Sequence, residues 1–206
     1  MAEYADHESS DDPLHVLRHS TAHLLAAAVL ELYPDAKYGI GPPVEDGFYY
    51  DFQFSKPISE SDLPAIESRM RRLAQANQPF ERQVVPRVQA IEEFRKRDQE
   101  YKLELIADKV EGDDVSLYRT GDFLDLCRGP HVRSTKDLKA FKLLRVAGAY
   151  WRGDEKRPQL TRIYGTAWQS QKELDDYLKF LGEAEKRDHK KLGKDLKLFM
   201  VDDRVG

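Results

Sequence analysis

The sequence predicts an α+β fold, with an antiparallel sheet packed with helices and a long C-terminal linker helix at its end. Three observations lead there. Segments with helical spacing and segments of β-formers mix without a regular βαβ alternation. Gly- and Pro-rich turn chemistry, as in Glu45-Asp46-Gly47 and Trp151-Arg152-Gly153-Asp154, sets off the strand candidates. The last periodic segment, 169–192, is long and charged, with apolar Leu174, Tyr177, Leu178, Leu181 and Ala184.

Taken in order, residues 1–12 read as a disordered acidic leader. Leu14, Leu17, Leu24, Ala28 and Leu32 set a helix from Pro13 to Tyr33, which Pro34 stops. From Lys37 to Phe54 the chemistry switches to strand. Gly39-Ile40-Gly41-Pro42-Pro43 makes a bent approach, and Phe48 to Phe54 is a run of strong β-formers. A second helix is expected from about Ser61 to Ala76, with Ser61 or Asp62 as cap and Pro64 in its first turn. Phe80 to Val85 reads as a strand and Val88 to Arg97 as a third helix, while Tyr101 to Ala107 suits either state. Leu117 to Leu126, Phe141 to Tyr150 and Gln159 to Tyr164 read as strands. The domain proper is expected at 13–168, and 169–206 as a helix and linker.

At 206 residues, 40% apolar and 34% charged, the chain can bury a real core and falls outside the disordered class. Its longest apolar stretch, Leu24 to Leu30, is far short of the roughly 20 residues that cross a bilayer, so no membrane partner is expected. The acidic, polar N-terminus fits neither a signal nor a transit peptide, and a single cysteine suits a reducing, cytoplasmic setting. Residues 1–12 contribute −5 to a net charge of −4, which leaves +1 for the rest. Two segments, Lys142–Arg162 and Lys186–Lys197, are locally basic. They can meet phosphates, although such runs are more often solvated faces.

Two constellations can carry chemistry. In His19-Ser20-Thr21-Ala22-His23 the four-residue spacing puts both imidazoles on one helix face, close enough to share a water or a metal. His15 extends the row by another turn, which shows how cheaply such spacing arises. A zinc-peptidase reading fails, because Ser20 stands where that motif needs its general-base Glu. In Cys127-Arg128-Gly129-Pro130-His131 the turn can aim a thiol and an imidazole at one point. If the two converge, His19, His23, Cys127 and His131 form a soft-ligand set suited to Zn²⁺. The bland alternative makes Cys127 a small buried residue and His131 a turn histidine. Lys102, Asp125, Tyr50 and Asp51 have bland readings too: an exposed amine, turn or cap acids, and a strand-packing ring. Gly39-Ile40-Gly41 lacks the third glycine of a dinucleotide fingerprint, and no Gly-x-Ser-x-Gly elbow supports serine catalysis.

Together these residues are familiar. Arg18 to Leu25, Tyr38 to Pro43, Glu45 to Asp51, Asp125 to His131, Ala147 to Asp154, Arg162 to Trp168 and Lys186 to His189 closely resemble the threonyl-tRNA synthetases. The resemblance covers nearly everything from Leu14 to Phe199. It implies the editing region of that family, related to the editing module of the alanyl-tRNA synthetases, in either a fragment cut off from a class II catalytic domain, which the short linker after the last helix favours, or a free-standing relative. The implied activity is hydrolysis of serine from mischarged Ser-tRNA(Thr), without aminoacylation. It further implies His19, His23, Lys102, Cys127 and His131 as catalytic residues, with Tyr50 and Asp125 in the pocket. Zn²⁺ is possible and not required. The implied partners are the 3′ end of tRNA(Thr) bearing serine and the remainder of the synthetase. On this reading His19 or His23 handles the attacking water, Lys102 holds the ribose or developing charge, and Cys127 and His131 shape the amino-acid pocket. A covalent role for Cys127 stays open. A tRNA-binding or interdomain module without catalysis is the alternative. All of this expects the groups to meet at the mouth of a shared cleft.

Overall fold

The computed structural model describes residues 12–186. The expected leader up to residue 11 and the expected helix end and linker from 187 onward lie outside the described residues. Helix α1 (Pro13–Leu32) starts where the Asp12 carboxylate accepts the N–H groups of Leu14 (3.2 Å) and His15 (3.3 Å), with Pro13 opening the helix. Twelve of its residues between Leu17 and Val29 are buried. A helix covered on nearly all sides is a central element. Of the apolar positions that predict it, Leu14 and Leu32 pack only at the edge, while Ala22, Leu25, Ala26 and Val29 also fill the core.

Around α1 stand two antiparallel sheets, one more than the sequence predicts. In the first, β3 (Gly47–Gln53) pairs with β8 (Gln159–Trp168), and β8 pairs with β7 (Ala140–Tyr150). The other edge of β3 takes two short strands, β1 (Lys37–Tyr38) and β2 (Pro43–Val44). The second sheet has the order β4 (Glu81–Pro86), β5 (Asp114–Thr120), β6 (Phe123–Leu126). Helix α2 (Leu63–Gln75) lies against α1 and β7. Helices α3 (Arg87–Lys96) and α4 (Glu100–Lys109) pack on each other, and α5 (Gln171–Lys186) lies on β7 and β8. Arg18 fastens α1 to the first sheet: its guanidinium donates to the carbonyls of Ala167 (3.3 Å) and Glu45 and lies 4.9 Å from the Trp168 ring.

Four expectations change in detail. Leu117 to Leu126 is a hairpin, not one strand. Gly121 adopts φ +58°, a left-handed turn conformation cheap for glycine, and Thr120 pairs with Phe123 across it. Tyr101 to Ala107 is helical within α4, because Tyr101, Lys102, Leu105 and Ile106 are buried at helical spacing. The expected strand from Gln159 runs on to Trp168. Asp62 begins α2 without a side-chain bond to it. Its carboxylate instead accepts the Ser59 N–H (2.8 Å) around the short turn Glu60–Asp62. The hairpin matters most for function. It returns the chain to α1, so that β6 and the loop after it face the two histidines.

Candidate functional site

His19, His23, Cys127 and His131 converge: one ligand-type atom from each lies within 4.8 Å of the others. The first two come from α1, one turn apart, and the last two from the loop that leaves β6. Cys127 Sγ sits 3.4 Å from His19 Nε2 and 3.3 Å from His131 Nε2, and it accepts the Gly129 N–H at 3.2 Å. The three imidazoles crowd together, with His131 4.2 Å from both His19 and His23 between ring centres. Phe80 stacks on His131 at 5.0 Å, and Tyr118 meets it edge-on at 4.5 Å. Gly129 has φ +80°, and a Cβ there would come within 2.3 Å of the Tyr118 hydroxyl, so the bend that aims Cys127 and His131 requires glycine.

Behind this cluster lies a buried polar network. The Lys102 ammonium from α4 is 2.5 Å from Asp125 Oδ1, with the two side chains 2% and 4% exposed. Tyr50 from β3 donates its hydroxyl to Asp125 Oδ2 (2.5 Å), and His23 Nε2 approaches the same oxygen at 3.4 Å. Lys102 also donates to the Tyr50 hydroxyl (3.3 Å) and lies 5.0 Å from the centre of the Tyr38 ring. The bland readings of Lys102 as an exposed amine and Asp125 as a turn acid therefore fail. Tyr50 does pack within its strand, but its hydroxyl belongs to the network. Asp51 stands apart: it makes a two-point pair with Arg162 at 2.7 and 2.8 Å and joins β3 to β8.

Burial sets the electrostatics. It holds the His23 imidazole well below its ordinary 6.5, and nearby His131, His19 and Lys102 press the same way. Burial, followed by the His19 ring, lowers His131 as well. Loss of solvation, with the Asp125 charge behind it, pushes the Cys127 thiol up to about 12. Tyr50 is raised by burial and by Asp125. At neutral pH His23 and His131 are therefore neutral and Cys127 keeps its proton. His19, Cys127 and His131 are half-buried, whereas His23 is closed off.

Two spacings within the donor set suit a tetrahedral ion, and all four ligand atoms lie within 4.8 Å of one another. With metal–nitrogen and metal–sulfur bonds of usual zinc length, adjacent N and S ligands stand about 3.5 Å apart, close to both Cys127–histidine distances. His23 Nδ1 is buried without a hydrogen-bond partner, an orphan that a metal ligand would satisfy. The cluster can hold a metal ion.

Some residues escaped the sequence reading. Tyr38 donates to the Leu124 carbonyl (2.6 Å), tying β1 to β6 beneath Lys102. Gln99 joins Ala36 and Tyr38 to the start of α4. Gly41 leaves room for Tyr50, whose ring a Cβ there would meet at 2.1 Å. Only long-range packing reveals these roles. The basic stretch from Lys142 to Arg162 is largely spent inside the fold. Lys142 pairs with Glu67, Arg152 with Asp108 and Glu104, Arg157 with Glu104, and Arg162 with Asp51. The residues of the cluster come together as expected. One groove of about 550 Å³ lies along Phe52, Ile58, Val146 and Leu160, and another of about 360 Å³ along Arg71, Lys136 and Phe141. No described helix is long and apolar enough to cross a membrane.

Residues 115–164 match the second additional domain of threonyl and alanyl tRNA synthetases. That range holds Asp125, Cys127 and His131, and leaves out α1 and α4. The whole chain has close relatives. It is 56% identical over 198 residues to a threonine–tRNA ligase of Aromatoleum aromaticum, covering 96% of this chain and 31% of that protein. It is 57% identical over 192 residues to one of Acidovorax sp. strain JS42, covering 93% and 30%. A threonine–tRNA ligase of Acidithiobacillus ferrooxidans is 56% identical over 197 residues, covering 96% and 31%. The chain thus spans less than a third of the length of these relatives. It is similar over nearly its whole length to one segment of these threonine–tRNA ligases, and it carries the match to the second additional domain.

Proposed function

We propose that this chain is an editing hydrolase, which removes serine from mischarged Ser-tRNA(Thr) on behalf of a threonyl-tRNA synthetase. The observation that carries the proposal is the convergence of two α1 histidines with a thiol and a third histidine more than a hundred positions later. Serine lacks only a methyl group of threonine, a difference worth roughly 1–3 kcal/mol in a binding pocket, so a second hydrolytic site adds needed selectivity. An aminoacyl ester is already activated. The protein need only orient water and stabilise the oxyanion.

We divide these tasks by burial. His19 is half-buried and neutral forms of histidine serve as bases near pH 7, so it handles the attacking water. Cys127 and His131, also half-buried, shape the amino-acid pocket. A thiol held at about 12 is a poor nucleophile at neutral pH, which disfavours the covalent route. Lys102 and His23, both closed off, act from behind: Lys102 holds Asp125, and Asp125 orients His23. This moves Lys102 from direct ribose contact to positioning. If Zn²⁺ binds through the four ligands it supplies a closed structural centre, and through three it supplies Lewis acidity toward an ester oxygen. The non-catalytic tRNA-binding alternative keeps only part of its support, because the basic stretch at 142–162 is largely paired within the fold, while the one at 187–197 lies outside the described residues.

Single-turnover hydrolysis tests the proposal, with this chain in excess over Ser-tRNA(Thr) or Thr-tRNA(Thr), before and after chelation. The expected result is faster release of serine than of threonine, above the rate in buffer. Folded chain that binds the tRNA without releasing serine overturns it. Undiminished activity in chelated protein removes zinc from the mechanism.

A further inference from the structure

Ser20 fills the slot that set this helix apart from a zinc peptidase, and it is fully buried. Its hydroxyl has three neighbours. The Val132 N–H donates to it at 3.0 Å, and it donates to the Val16 carbonyl at 2.8 Å. The third is His131 Nδ1, at 3.0 Å. A hydroxyl has one hydrogen and two lone pairs. The Val132 N–H takes one lone pair, because an amide N–H can only donate. The Val16 carbonyl takes the hydrogen, because a carbonyl can only accept. What remains for His131 is the second lone pair, so Nδ1 must bring the proton.

From this we propose that Ser20 is a positioning residue that fixes His131 with its proton on Nδ1, leaving the Nε2 lone pair aimed into the cluster. His131 Nε2 is the atom that faces Cys127 Sγ at 3.3 Å. It can then accept the thiol proton, receive a proton from a substrate group, or ligate a cation. With the opposite tautomer it can do none of these. Phe80 and Tyr118 pack on the ring and limit its freedom to swing away from this arrangement. Buried partners of this kind fix which ring nitrogen is available, and their loss typically costs about 10- to 100-fold in function. The tautomer itself follows from hydrogen bonding alone. Only its effect on rate rests on the hydrolytic reading above.

The test is a long-range proton–nitrogen NMR correlation on the full chain with ¹⁵N-labelled histidine, in chelated buffer at neutral pH. The His131 signal is assigned by its loss in His131→Gln. The wild-type ring is expected to carry its proton on Nδ1. Ser20→Ala should shift the proton toward Nε2, and Ser20→Thr, which keeps a hydroxyl, should restore it. Single-turnover release of serine should slow by roughly tenfold or more in Ser20→Ala and recover in Ser20→Thr. A wild-type proton on Nε2 overturns the proposal whatever the rates, and this measurement needs no variant. A tautomer that Ser20→Ala leaves unchanged overturns it too. If the tautomer shifts as expected but no form of the chain releases serine, the assignment of Ser20 stands and the hydrolytic reading fails.

Discussion

Replacing Lys102 by Met keeps most of the side chain's length and volume but strips Asp125 of its countercharge. The two groups are 2.5 Å apart and almost wholly buried. Breaking a buried pair from one side typically costs about 3–5 kcal/mol, because the remaining charge stays desolvated. Here Tyr50 and His23 still contact the carboxylate, so the lower end, roughly 3 kcal/mol, is expected. In a domain of this size that lowers the melting temperature by roughly 6–12 °C. Asp125→Asn should cost a similar amount by stranding the ammonium. The double variant, with neither charge, should lose less than the sum of the singles by about 2 kcal/mol. Urea unfolding of the four proteins measures the cycle. A loss below about 1 kcal/mol for Lys102→Met, as for an exposed pair, would refute the buried network as the brace of this site. So would strict additivity of the two singles.

Three further outcomes follow from the site. Stability should fall on mild acidification in chelated buffer. His23 and His131 are both held below their ordinary 6.5, so below that pH the unfolded chain binds protons that the native state refuses. The stability is whole above about 6.5 and is lost as pH falls toward the native values. Going from pH 7 to about 5.5 should lower the stability measured by urea unfolding. Cys127, raised from 9.0 to about 12, should carry roughly a thousandfold less thiolate than an ordinary cysteine and alkylate correspondingly slowly in native chain, but normally in urea. His19→Ala should slow single-turnover serine release by about 10²-fold or more while leaving the circular dichroism spectrum unchanged. Full activity in that variant would remove His19 from the chemistry.

Much of this molecule was legible because its signals are local. Pro13, the Leu/Ala spacing and Pro34 bound α1 within a residue, and the β-formers around Tyr50 bound β3 nearly as well. The hairpin at Gly121 is not legible in the sequence, because two short apolar strands and a two-residue turn read as one continuous run. Tyr101 to Ala107 is ambiguous in the sequence because its helical character depends on burying Tyr101 and Leu105 against Trp151, in the turn after β7, and Leu160 of β8. The burial of Lys102 is invisible in the sequence for a similar reason. Its partner lies 23 positions away, on a different element, and nothing in its neighbours reports its burial.

The order of residues by itself determined which reactive groups exist and which share a helix face. Four-residue spacing places His19 and His23 together before any tertiary contact forms. Only the three-dimensional packing decided that a hairpin would carry Cys127 and His131 to that face, and that Lys102 would end inside rather than out. The physical reason is range. Backbone preference and periodicity act over a few residues, whereas desolvation, ion pairing and the protonation of a ring depend on whatever the whole fold brings within a few ångströms.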